Sequence, residues 1–139
     1  MKKGFLYSCL CVCVLLSGLS VNAQIKTPQP SPTMKMETTI GLTDVMIEYS
    51  RPSMKERSIF AADGLVPFGE TWRTGANAST KISFSNDVMI EGKEVKKGKY
   101  ALYTVPGKSS WEIILYNNTT HWGVPREWMA SDEAARFTV

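Results

Sequence analysis

The chain has 139 residues, with 16 Lys and Arg against 13 Asp and Glu. This length is enough for one hydrophobic core and indicates a single domain. A formal net charge of +3, with acidic and basic residues interleaved along the chain, argues against nucleic acid as the main partner.

Residues 1–23 have the pattern of a secretion signal. Lys2 and Lys3 form a basic start, residues 4–21 are an uncharged and mostly apolar run, and Val21-Asn22-Ala23 suits a signal peptidase. We expect cleavage before Gln24, export to the periplasm or the cell exterior, and no membrane span in the mature chain. The alternative is an uncleaved anchor, although the run is near the lower length limit of a spanning helix.

All three cysteines, Cys9, Cys11 and Cys13, lie inside this apolar run. They leave with the signal, and none stands at the end of the run, where lipidation needs one. The mature chain is therefore expected to hold together by packing alone, without thiol catalysis or a thiolate metal site. Loss of Lys2 and Lys3 also lowers the net charge from +3 to +1.

The mature chain begins with a tether and a hairpin. Residues 24–33 contain three of the seven prolines and little to bury, which predicts an extended tether before a single domain over residues 34–139. Apolar and polar residues alternate over Met34–Ile40 and again over Val45–Ser50, with a turn at 41–44 between them. This pattern predicts a hairpin with one apolar face.

Residues 53–69 have no clean period. A short helix or turn is predicted over Met54–Ala62, with Ser53 as its cap. Residues 66–80 then pack Glu, Trp, Arg, Asn and three Thr around two Gly and one Pro. Such a stretch is too rich in contact residues for a plain connection, and it is either a pinned structural plug or a ligand-contact surface.

Strands resume at Thr80 and are separated by turns rich in Gly, Pro, Asn and Asp. The two segments Tyr100–Val105 and Trp111–Tyr116 carry large apolar side chains on both faces, which places them at the centre of a sheet covered on both sides. Short strands about ten residues apart predict an all-β fold, an antiparallel β-sandwich of jelly-roll or Ig-like type.

The last residues predict an interrupted strand. Ser131–Ala135 reads as a polar connection, and Arg136–Val139 has the pattern of the first residues of a strand. We expect that further C-terminal strands are missing from this sequence and that a sheet edge is left unpaired.

The best candidate site combines Glu70, Trp72, Arg73 and Asn77. Arg presents a planar fork of donors to a carboxylate, a phosphate or sugar hydroxyls, and Trp presents a flat apolar face. Arg51 and Arg57 form a second group, which either converges with Arg73 on an anionic ligand or, as separated arginines more often do, lies on the surface or in structural ion pairs. In the alternative, Arg73 pairs internally with Glu70 or Glu48, Trp72 fills the core and Asn77 bonds to the loop backbone.

Catalytic patterns are weak. His121 is the only histidine, and a metal site would need more His, or Cys, in the mature chain. A Ser-His-Asp triad is not expected either, because the sequence has no Gly-x-Ser-x-Gly elbow that would present the Ser. A glycoside hydrolase needs two carboxylates, and Glu70, Asp63 and Glu127 are candidates by residue type alone. No catalytic residue, metal or cofactor is predicted.

Four segments resemble the domain-of-unknown-function family number 2911, exported proteins typical of Bacteroidetes-type bacteria. The run Trp72-Arg73-Thr74-Gly75-Ala76-Asn77 is the most specific of the matching features. The resemblance implies export and a β-sandwich but supplies no mechanism, because the family carries no established activity. Its members usually continue for several strands beyond the point that matches Val139. The matching segments are Val45–Pro52, Leu65–Asn77, Gly98–Gly107 and His121–Gly123.

Together these patterns predict a non-catalytic exported module that binds a small polar ligand, a glycan or a protein partner. The rival hypotheses are a hydrolase that uses Glu70 with a second carboxylate or His121, and a purely structural module. The solvent exposure of Trp72 and Arg73 distinguishes these hypotheses. Exposed side chains in a cleft favour binding or catalysis, whereas full burial with satisfied hydrogen-bond partners favours a structural plug.

Overall fold

The computed structural model describes residues 27–139. The predicted signal peptide, its three cysteines and the first residues of the tether lie outside this range. The elements in chain order are β1 (Thr33–Ile40), β2 (Thr43–Ser50), β3 (Phe60–Ala61), β4 (Val66–Pro67), β5 (Ala76–Phe84), β6 (Val88–Ile90), β7 (Lys93–Val95), β8 (Gly98–Pro106), β9 (Trp111–Tyr116), a 3₁₀ turn (Ala130–Asp132) and β10 (Glu133–Thr138).

Six of these strands form one antiparallel sheet in the order β1-β2-β5-β8-β9-β10. The all-β prediction is therefore confirmed. The short strands β3 and β4 form a parallel pair, and β6 and β7 form a separate antiparallel hairpin. Within residues 27–139 no second large sheet faces the first, so the sandwich stays a prediction. No helix in this part of the chain has the length and apolar character needed to cross a membrane.

The core lies on both faces of the large sheet. On one face, the hairpin face, the β6–β7 hairpin packs Val88, Ile90 and Val95 against Phe84, Tyr100, Leu115, Ala135 and Phe137. On the other, the loop face, Val124 and Trp128 from the segment after β9 pack against Ala101, Tyr103, Ile114 and Tyr116. Strands β8 and β9 each have two neighbours and buried side chains on both faces, which confirms their predicted central position.

The loop face is closed by a polar cluster around Glu133. Trp128 Nε1 donates to Glu133 Oε1 at 2.6 Å, and Arg136 donates to both oxygens of the same carboxylate. These donors, Arg136 first, hold the pKa of Glu133 below its ordinary value of 4.5. Because the donors come from β10 and from the segment before it, the cluster ties that segment to the edge of the sheet.

The predicted β1–β2 hairpin is confirmed, with Met34 paired to Tyr49 and Ile40 paired to Thr43. The short helix predicted over Met54–Ala62 is wrong. Lys55 and Glu56 have φ of 51° and 59°, and two consecutive left-handed residues cannot continue a right-handed helix. The chain turns there instead and enters β3 at Phe60.

Two strand boundaries also differ from the prediction. Strand β5 begins at Ala76 rather than Thr80, because Ala76 pairs with Ser50 across a register shift whose extra residues lie in β5. The C-terminal strand begins at Glu133, inside the stretch predicted as a polar connection, and pairs along β9 from Tyr116 to Glu112. In both places pairing with a distant strand extends an element whose own sequence does not alternate.

Candidate functional site

A groove of about 930 Å³ lies between the segment that contains β3 and β4 and the chain from Glu70 to Asn77. We call it the Arg73 groove. One wall is mainly apolar, and the other carries most of the predicted ligand contacts. The apolar wall is formed by Pro52, Met54, Ile59, Leu65, Val66 and Pro67, and the predicted contacts that line the groove are Arg57, Glu70, Trp72, Arg73 and Asn77.

Trp72 is fixed by backbone pairing and by aromatic contacts. Its N–H donates to the Thr104 carbonyl at 2.7 Å and its carbonyl accepts from Thr104 N–H at 2.9 Å, which joins it to β8. Its ring meets Phe60 edge to face at 5.3 Å, and Phe60 in turn meets Trp111 at 4.8 Å. Trp72 is nevertheless only half-buried, so it is a rigid wall of the groove and not a filled core position.

The chain between Trp72 and the start of β5 is a tight loop, and Thr80 within β5 holds it in place. Thr80 N–H donates to the Arg73 carbonyl at 3.1 Å, and Thr80 Oγ1 donates to the Thr74 carbonyl at 2.8 Å. Thr74 and Asn77 have φ of 57° and 61°. A β-branched residue with positive φ is a backbone outlier, and such residues cost about 1–3 kcal/mol each and concentrate at ligand sites.

Gly75 lets this loop approach the sheet. A Cβ on this buried residue would lie 3.0 Å from Thr80 Oγ1 and 3.1 Å from the Ser50 carbonyl oxygen. A side chain at this position would require both groups to move by a few tenths of an ångström. Glycine therefore allows the close approach of the loop to the sheet between Arg73 and Asn77.

Arg73 is the least satisfied group of the site. Its Nε is buried and has no hydrogen-bond partner among the described residues. Its side chain is also absent from the ion pairs of residues 27–139. The Arg73 Cδ packs near Gly123, where a Cβ would lie 3.9 Å away. The Arg73 residue is half-buried and lines the groove, and the aliphatic part of its side chain is held near Gly123. Its guanidinium has no partner among the described residues.

The internal pairing of Arg73 with Glu70 or Glu48 is therefore wrong. Glu48 lies near Lys99, at 3.9 Å between Oε2 and Nζ. Glu70 is exposed at the groove rim and forms no ion pair with a described residue. Asn77 does bond to backbone, as the alternative expected, but to the Ser31 carbonyl at 3.4 Å and not within its own loop.

The three arginines do not all converge. Arg57 lines the groove, yet its Nε and Nη2 donate to the carbonyls of Met54 and Ser53 at 2.9 and 2.7 Å. Arg51 does not line the groove, because its N–H bonds to the Pro32 carbonyl at 3.0 Å and its side chain is exposed to solvent. Arg73 is left as the guanidinium of the groove with no partner among residues 27–139.

The groove lacks the second group that a hydrolase would need. Glu70 is the one carboxylate among its described lining residues. His121 lies at a different cleft, together with Glu127 and Asp132, and its ring centre is 6.3 Å from that of Tyr116. No group of three or more metal-ligating side chains occurs in the described range.

Comparison with known proteins supports one assignment. A family model described as "Protein of unknown function (DUF2911)" matches residues 31–139. Searches of curated proteins and of solved structures found no match. The matched range includes every predicted ligand contact and most of the described chain. The chain therefore belongs to the DUF2911 family.

Proposed function

We propose that this protein is a non-catalytic module that binds a small polar ligand in the Arg73 groove. The single observation that carries the proposal is the buried Arg73 Nε with no partner among the described residues. A glycan or a protein group with the same polar chemistry would occupy the groove in the same way. From the predicted signal at residues 1–23 we also propose that the module works in the periplasm or outside the cell.

The energetics of Arg73 support a ligand. A buried donor that has lost water and gained no partner costs about 1–3 kcal/mol, and more when it is charged. Because Nε itself is covered, a carboxylate, phosphate or hydroxyl oxygen in the groove removes this cost when the Arg73 side chain shifts toward it. The planar guanidinium then holds such groups through two parallel hydrogen bonds. The cost present in the free protein is then recovered on binding.

The composition of the groove walls supports the same conclusion. Ligand sites typically combine apolar surface with a few placed polar groups. Here Met54 and Leu65 remain 62% and 60% exposed on one wall, while Trp72 and Arg73 form the other. A structural plug would bury these side chains and satisfy Arg73, so the plug hypothesis is disfavoured. The hydrolase hypothesis is disfavoured by the single carboxylate.

A thermal-shift screen of the purified chain tests the proposal. The probes are acetate, succinate, inorganic phosphate, glucose and galactose, each added to the wild type, to Arg73→Met and to the matched control Arg57→Met. A probe at a hundred times its Kd stabilises the folded state by about 2.7 kcal/mol, which is roughly 10 °C for a domain of this size. We expect a shift in the wild type and in Arg57→Met that is lost in Arg73→Met.

Two results would count against the proposal. One is a melting temperature that no probe raises in the wild type. The other is a shift that persists unchanged in Arg73→Met, since the ligand would then bind elsewhere. Turnover of a glycan or ester that Glu70→Gln abolishes in a folded protein would instead support the hydrolase.

A further inference from the structure

Trp122 is an exposed aromatic side chain on a fixed piece of backbone. It is 77% exposed, whereas the other three tryptophans are half-buried. The next residue, Gly123, is buried with φ of 90°, and its carbonyl accepts a hydrogen bond from the Tyr103 hydroxyl at 3.1 Å. Burial raises the pKa of Tyr103, so the hydroxyl stays protonated and keeps donating.

The residue before Trp122 is also docked. The His121 ring lies 6.3 Å from the buried ring of Tyr116. Because His121 and Gly123 are both held against the core, the backbone at Trp122 is fixed and its indole points outward to solvent. Exposure of an apolar indole to water is unfavourable and adds nothing to the packing of the core. An aromatic ring that is held in place at the surface is, however, a common element of binding surfaces.

Trp122 forms one wall of a second cleft, which we call the Trp122 cleft. Its volume is about 440 Å³, within the range of roughly 300–1,000 Å³ typical of small-molecule sites. The floor belongs to the loop face, because Glu48 pairs with Lys81 and Lys81 pairs with Ala101 in one row across the sheet. Tyr49 and Asn77 also belong to the polar part of the lining.

The charges of this cleft are balanced and accessible. Glu48 and Lys81 have opposite signs and stand opposite each other in the register. Lys81 forms no ion pair with another residue of the described range. Glu48 lies 3.9 Å from Lys99, between Oε2 and Nζ, and is paired in the register with Lys35, but neither of these lysines lines the cleft. The cleft thus offers carboxylate acceptors, ammonium donors and an amide, with no net preference for an anion or a cation.

We propose that the Trp122 cleft is a binding site for neutral carbohydrate, with one sugar ring lying on the Trp122 indole. The apolar face of C–H groups on a pyranose matches a flat aromatic ring, while its hydroxyls are both donors and acceptors and match Glu48, Lys81 and Asn77. An ionic ligand would leave one of the two charges facing its own sign. The site is separate from the Arg73 groove and shares with it only Ser31 and Asn77.

Affinity electrophoresis of the purified chain tests this site. Native gels contain a β-1,4-glucan, a β-1,3-glucan, an α-glucan, a mannan or a xylan, and retardation gives Kd. We expect at least one polysaccharide to retard the wild type, Trp122→Ala to weaken binding at least about tenfold, and Trp122→Phe to keep part of it. Leu42→Ala is the matched control, because Leu42 is 94% exposed at the distant β1–β2 turn.

A second readout reports on Trp122 directly. Acrylamide quenches the fluorescence of exposed indoles, and in the wild type most of the accessible signal is expected from Trp122. The binding polysaccharide should protect that signal, and Trp122→Ala should lack both the quenchable fraction and its protection. A purely structural Trp122 would show no protection.

The outcome separates this site from the Arg73 groove. Retardation of Arg73→Met equal to that of the wild type is expected, because the guanidinium does not line the Trp122 cleft. The carbohydrate proposal is overturned if no gel retards the wild type or if Trp122→Ala binds as the wild type does. A loss of binding in Arg73→Met alone would move the sugar to the groove and overturn it equally.

Discussion

Replacing Arg73 with Met should stabilise the ligand-free protein. Methionine keeps an unbranched side chain against Gly123 and removes a buried Nε–H that has no partner in residues 27–139. Removing one unsatisfied donor recovers about 1–3 kcal/mol. For a domain of this size a gain of about 1 kcal/mol corresponds to roughly 4 °C in melting temperature.

Urea unfolding followed by circular dichroism measures this change, with Cm compared at constant m. Arg57→Met is the control, because the Arg57 guanidinium is exposed and donates to two carbonyls of its own turn. That variant should lose about 1 kcal/mol or less. A structural ion pair at Arg73 would instead cost roughly 3–5 kcal/mol when broken. A loss above about 1 kcal/mol in Arg73→Met would refute the reasoning.

Two further variants test the loop and the polar cluster. Gly75→Ala should destabilise by about 1–3 kcal/mol, since its Cβ meets Thr80 Oγ1 at 3.0 Å and the Ser50 carbonyl at 3.1 Å, and an unchanged melting temperature would show that the loop adapts. The lowered pKa of Glu133 contributes stability that is fully present above its ordinary value of 4.5 and is lost as the pH falls through the lowered value. In Glu133→Gln this loss on acidification should be smaller than in the wild type, and parallel curves of melting temperature against pH would contradict the assignment.

The sheet was largely predictable because its signals are local. Alternation over Met34–Ile40 and Val45–Ser50 is a property of each strand alone, and so is the apolar character of both faces of β8 and β9. The start of β5 was not predictable, since Ala76 becomes a strand residue only by pairing with the distant Ser50. The helix predicted over residues 54–62 was wrong for a different reason, because the turn at Lys55 and Glu56 leaves no trace in the periodicity of the sequence.

The sequence predicted which residues belong to the candidate site, but it did not predict the groups that surround them. Trp72, Arg73 and Asn77 stand close together in the sequence, which pointed to a shared surface. The apolar wall and the contact of Arg73 with Gly123 arise from segments far apart in the chain. Arg51 is exposed and does not line the groove, which agrees with the alternative of separated surface arginines, and the sequence alone did not decide between the two.

The central claim is that Arg73 is a ligand contact, and proton–nitrogen NMR of the arginine Nε–H groups tests it most directly. The Arg73 resonance is assigned by its absence from the spectrum of Arg73→Met. On titration with acetate, phosphate or a sugar, we expect this resonance to move in a saturable way with at least one probe while that of Arg57 stays in place. A resonance that no probe moves at millimolar concentration, or equal movement of all arginines, would contradict the account.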